Sequence, residues 1–167
     1  LVMAMLAPPA GGNRWGEPAD IAAALSWDRF LAGTDPMVKP YLHWACHASA
    51  FSAVVPGPVQ SELSAARRAA GLRNLRWSAE LRQILAKFRN ESIPLVVVKG
   101  AVLQRSVYPD PSIRRMSDID LCVKGKDIAR VYRALADLGF AVRVTREGPT
   151  PFAGVAVNHA WARSQRS

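Results

Sequence analysis

Two aspartates separated by one residue, in Ser117-Asp118-Ile119-Asp120-Leu121-Cys122-Val123, are the side chains in this sequence best arranged to do chemistry. Ile119, Leu121 and Val123 alternate with Asp118, Asp120 and Cys122, the period of a strand with one apolar face. Side chains at i and i+2 of a strand point the same way, with backbones ~7 Å apart. Carboxylates so placed can share one magnesium ion, or bridge a pair ~3.5–4 Å apart as in two-metal phosphoryl-transfer sites. Without a cation the arrangement is unfavourable, because like charges on one side repel and each must be solvated or paired. An edge strand with one wet face is the bland reading of the same pattern.

The elements around this pair are readable from spacing. Leu95-Val96-Val97-Val98, after Pro94, is a short β-branched run that predicts a strand buried on both faces. Gly100 ends it, and Val102, Leu103 and Val107 have helical spacing up to the stop at Pro109-Asp110-Pro111. A glycine at a strand-to-helix turn lets backbone N–H groups approach phosphate oxygens. Lys99 beside it, and Arg114 and Arg115 just before the Asp strand, can supply positive charge to the same phosphates. Downstream, residues 127–138 predict a helix with Ile128, Val131, Tyr132, Leu135 and Leu138 on its buried face. Asp127 suits its positive end and Gly139 stops it. Phe140, Val142 and Val144 predict a third strand, and Gly148-Pro149-Thr150-Pro151 a turn.

The first half of the chain reads as helical. Residues 1–20 form a Pro/Gly-rich lead-in, and helices are expected over 21–31 and 41–54, before the stop at Pro56-Gly57-Pro58. The longest helical signal covers residues 59–90, where Leu63, Ala66, Ala70, Leu81, Ile84, Leu85 and Phe88 make one apolar stripe. Gly71 lies mid-run and marks a kink or a break, since glycine costs ~1 kcal/mol against alanine there. The expected fold class is α/β: a small mixed sheet flanked by helices over 93–167, with a helical subdomain over 21–92.

The chain has 167 residues, half of them apolar, with a formal net charge of +9 and a pI near 10.4. That balance suits an anionic partner. The arginines are scattered, however, and few aromatics apart from Trp77 interleave with those of residues 67–89, so nucleic-acid binding is the less favoured reading. Cys46 and Cys122 form no CxxC pair, and His43 and His47 stand four apart without a third ligand, so packing or surface roles are expected for them. No segment is long enough to span a membrane, and Leu1 to Ala7 lacks a basic leader, so no membrane association and a cytoplasmic setting are the expectations.

Lys99-Gly100, Tyr108-Pro109, Arg114, Asp118-Ile119-Asp120-Leu121 and Gly139-Phe140 together resemble the uncharacterised nucleotidyltransferase family of the polymerase-β-like superfamily. The specific part of the likeness covers about residues 93–140, and the upstream helices, with Arg73-Asn74, are similar less specifically. The resemblance implies Mg2+-dependent transfer of a nucleoside monophosphate from an NTP, ATP being the expected one, to an unidentified acceptor. It implies Asp118 and Asp120 as catalytic metal ligands, and Lys99, Gly100, Arg114 and Ser117 around the phosphates. Two departures stand out. Ala101 follows Gly100 where the superfamily usually has Gly or Ser, and the third carboxylate that active members take from a later strand has no clear match. Glu147 is the one acid after Asp137. The segment Val157-Asn158-His159-Ala160-Trp161 is similar to a later His-Trp element but brings no acid. An incomplete catalytic set, Glu147 as substitute and a shortened chain all stay open at this stage. A non-catalytic module that binds NTP or a partner, and a basic nucleic-acid-binding protein, are the alternative functions.

Overall fold

Prolines set the helix starts in the N-terminal half. In a computed structural model, which describes residues 17–146 and 158–164, Pro18 opens helix α1 (Pro18–Ala24) and Pro40 sits in the first turn of α3 (Lys39–His47). Both positions would carry unbonded N–H groups in any case. Between them lies α2 (Trp27–Gly33). One helix was expected over 21–31; the chain instead breaks at Leu25 and Ser26, both extended. At 100° per residue a single helix would turn Ile21 and Phe30 about 180° apart. The break lets both pack on one cluster, built from Leu42, Ala45, Cys46, Phe51, Val55, Val59 and Leu63. The helix expected over 41–54 likewise ends early, at His47. A 3-10 turn (Ala50–Ala53) follows and brings Phe51 into the same cluster.

Helix α4 (Gly57–Asn90) runs unbroken through Gly71. The glycine has another reason to be there: a Cβ on it would lie 3.3 Å from the Ser112 Cβ, so residue 71 is where a loop comes close to the helix. The apolar stripe is largely as expected, with Leu63, Ala70, Leu81, Ile84 and Phe88 buried.

The described residues form two compact units, and each interleaves distant parts of the chain. One takes in the described residues up to Trp77 together with Gly100–Asp118. The other takes in Ser78–Lys99 together with the described residues from Ile119 on. The first unit holds the α1–α3 cluster and helix α5 (Gly100–Ser106). In the second, Ile84, Phe88, Ile93, Val131, Ala134 and Leu135 form the core. There β1 (Leu95–Val98) pairs antiparallel with β2 (Asp120–Val123), Val98 lying opposite Asp120. Helix α6 (Ile128–Asp137) follows a 3-10 turn (Gly125–Asp127) and ends at Gly139, whose φ of 84° gives the expected left-handed stop. Strand β3 (Phe140–Arg146) pairs antiparallel with β4 (Asn158–Ser164).

The α/β class therefore holds, with antiparallel pairing in both ladders. Two local expectations do not. Strand β2 begins at Asp120 rather than Ser117, so Asp118 precedes the ladder. Strand β1 is not buried on both faces: Val96 is 61% exposed, and Cys122 opposite it is exposed too. A two-stranded ladder covers one face only, and here Leu95, Leu121 and Val123 take the covered side. Glu147, the turn at 148–151 and most of the lead-in lie outside the described residues.

Candidate active site

The register of the β1–β2 ladder decides what Asp120 meets. Val98 is the last residue of β1 and stands opposite Asp120, so the next residue, Lys99, leaves the ladder beside that carboxylate. The Lys99 Nζ donates to Asp120 Oδ1 at 3.0 Å. Asp120 keeps 28% of its side chain exposed, so the pair is open to solvent and to an incoming ligand.

Lys99 itself takes the left-handed conformation, with φ of 52°, and Gly100 begins α5. A Cβ on Gly100 would meet Met116 Cγ at 3.9 Å, an ordinary contact, so neither backbone conformation nor space requires glycine there. A lysine at positive φ is uncommon, because its Cβ crowds the backbone where glycine would not. Such strain persists where the surrounding structure enforces it, and it concentrates at functional sites.

The other half of the expected set lies in the first unit, on the loop after α5. Ser117 Oγ donates to Asp118 Oδ1 at 3.1 Å, and both residues are exposed. Arg114 holds its guanidinium carbon 6.0 Å from the centre of the Tyr108 ring. Its Nε is buried with no hydrogen-bond partner among the described residues. A buried guanidinium N–H left unsatisfied is an opening for an anionic acceptor. Lys99 and Asp120 are thus brought together in one unit, and Ser117 and Asp118 in the other.

The loop itself is held by side chains that the sequence reading did not assign to the site. Asn74 on α4 is 2% exposed. Its Nδ2 donates to Pro111 O at 2.7 Å and Arg114 O at 2.8 Å, and its Oδ1 accepts from Met116 N at 3.0 Å. Gln104 on α5 donates to the same Pro111 carbonyl at 2.9 Å. Arg67 bonds Asp110 Oδ2 at 2.6 Å and Ser112 Oγ at 2.9 Å, and its Nη1 lies 3.3 Å from His43 Nδ1. The Ser112 hydroxyl and N–H, with Arg67 beyond them, hold the Asp110 carboxyl below its ordinary value. The sequence carries one signal for this network: Asn74 stands on the apolar stripe of α4, where a polar side chain must find partners.

His43 is pushed toward its neutral form, first by burial and then by His47, Arg67 and Arg68. The two histidine rings lie 4.5 Å apart. Burial raises the Cys46 thiol to about 11, which leaves it inert as a nucleophile at neutral pH.

The donor chemistry fits a hard divalent cation. Asp118 and Asp120 offer carboxylate oxygens, and one of those oxygens already attracts a cationic group, the Lys99 ammonium. Among the described residues no three His, Cys, Asp or Glu side chains gather as a metal site. No described helix is long and apolar enough to cross a membrane. A family model described as an uncharacterised nucleotidyltransferase matches residues 24–162. No curated protein and no solved structure matches the chain.

Proposed function

The chain belongs to the uncharacterised nucleotidyltransferase family, and from that membership we propose that it transfers a nucleoside monophosphate from an NTP, with ATP as the first candidate, to an acceptor. The observation that carries this reading is the Lys99–Asp120 pair at the end of the β1–β2 ladder. A lysine held at φ of 52°, where glycine would be unstrained, supports a role for its side chain.

In the reaction an acceptor oxygen or nitrogen forms a bond to the α-phosphorus. The bond from that phosphorus to the α–β bridging oxygen breaks, and pyrophosphate leaves with the electron pair. The acceptor loses its proton to water or a nearby base. Magnesium held by Asp118 and Asp120 would supply charge neutralisation for the triphosphate and the attacking atom. Lys99 would exchange its bond to Asp120 for one to a phosphate oxygen. Arg114 offers its unsatisfied Nε to an anionic oxygen. Ser117 orients the Asp118 carboxylate by donating to Oδ1. The protein supplies position and electrostatics rather than a covalent intermediate.

The test uses ATP labelled at the α- or the γ-phosphate, incubated with magnesium, the full chain and pools of candidate acceptors. Label from the α-phosphate, and not the γ-phosphate, should pass to an acceptor, and Asp118→Asn with Asp120→Asn should abolish it. Transfer of the γ-label would refute the reading in favour of a kinase. Nucleotide binding without transfer to any pool would mark a binding module.

A further inference from the structure

Asp118 lies outside the β2 ladder, so strand pairing does not fix it, although the proposed chemistry needs its carboxylate held in place. What does fix the segment leading to it is a buried amide. We propose that Asn74 is a positioning residue for Asp118: by clamping the 111–116 loop it holds the residues that present this carboxylate to metal and nucleotide. The proposal rests on the nucleotidyltransferase reading and adds to it a residue on a different element.

Asn74 uses every polar atom of its side chain on this one loop. Both Nδ2 hydrogens are spent, on Pro111 O and Arg114 O, and Oδ1 takes the Met116 N–H. Bonding to 111, 114 and 116 fixes the loop at several points along its length, with Met116 two residues before Asp118. The Met116 N–H has a second significance. Met116 is 4% exposed, and loss of its acceptor would leave a buried donor unsatisfied. Gln104 shares the Pro111 carbonyl, and Gly71, one turn before Asn74 on α4, leaves room for Ser112. Helix, loop and amide therefore fit as one frame. A frame of this sort matters because displacements of about 1 Å at a reacting group can cost on the order of a hundredfold in rate.

The experiment combines amide hydrogen exchange with calorimetry of Mg·ATP binding on the full chain, for the parent, Asn74→Ala and Leu42→Ala. Leu42 is buried in the α1–α3 cluster and makes none of the side-chain hydrogen bonds that hold the loop, so its truncation controls for lost stability. Asn74→Ala should speed exchange at the Met116 amide more than at α4 amides and weaken Mg·ATP about tenfold or more, while Leu42→Ala leaves affinity within about twofold. Unchanged relative protection at Met116 overturns the clamp. Local loosening with unchanged affinity overturns the link to Asp118, and an equal loss in Leu42→Ala overturns it too. Should Asn74→Ala not fold, Gln104→Ala is read by the same two signals, with a smaller loss expected. A parent chain that does not take up Mg·ATP defeats the proposal together with the nucleotide reading, and exchange at Met116 then separates that failure from failure of the clamp.

Discussion

Lys99 places its ammonium 3.0 Å from Asp120 Oδ1, on the carboxylate proposed to hold a divalent cation. On the proposed reading, lysine and metal would compete for this carboxylate until a triphosphate gave the lysine another partner. Lys99→Met should tighten, or leave unchanged, the binding of Mn2+ alone, measured by paramagnetic relaxation, and should weaken Mg·ATP. Loss of Mn2+ binding together with nucleotide binding would show the lysine acting only as a support for Asp120. Stability should move by no more than about 0.5 kcal/mol, because the pair is solvent-open.

The same residue makes a backbone prediction. At φ of 52° a glycine avoids the Cβ crowding that lysine bears, so Lys99→Gly should be more stable than Lys99→Ala by roughly 1 kcal/mol in chemical denaturation. Equal stabilities would mean that the turn relaxes out of the left-handed region. Gly139 gives the matching case with the opposite sign: with φ of 84°, Gly139→Ala should destabilise by roughly 1 kcal/mol.

Gly71 tests the close approach of loop and helix. In an open helix interior Gly→Ala gains ~1 kcal/mol. Here the new Cβ would sit 3.3 Å from Ser112 Cβ, on a loop tied by Arg67 and Asn74 that has little freedom to give way. Gly71→Ala should therefore bring no gain in thermal midpoint, and a full gain would show the loop to be loosely held.

The histidine beside Arg67 sets a pH dependence. Its folded pKa is lowered, by burial first, so the contribution of neutral His43 to stability is complete above its ordinary value of 6.5. As pH falls the unfolded chain takes up a proton that the folded chain resists, and stability is lost from about pH 6.5 down to the lowered folded value. Thermal midpoints should fall over that window, and less steeply in His43→Gln. Asp110, also lowered, acts further down: its contribution is full above about pH 4 and disappears as pH falls through its depressed value.

Local signals were legible in the sequence. The stop at Gly139, the buried face of α6 around Val131 and Leu135, and the apolar stripe of α4 follow from period and glycine chemistry alone. The same period singled out Asp118 and Asp120, although of the two only Asp120 lies in the ladder. What stayed hidden depends on partners far along the chain. In Lys99-Gly100 the left-handed residue is the lysine, although propensity alone would choose the glycine. The start of β2 is set by where β1 ends, since Val98 is the last residue able to pair. Asn74 stood out as a polar residue on the apolar stripe and as part of a family likeness, but its partners lie on a loop some forty positions away.

The most direct test of the central claim is calorimetry of ATP binding to the full chain, with and without magnesium, for the parent and for Asp118→Asn with Asp120→Asn. The account predicts magnesium-dependent binding in the parent that disappears in the double variant while its thermal midpoint stays close to the parent's. Absence of binding in the parent, or equal binding in the double variant, would contradict it.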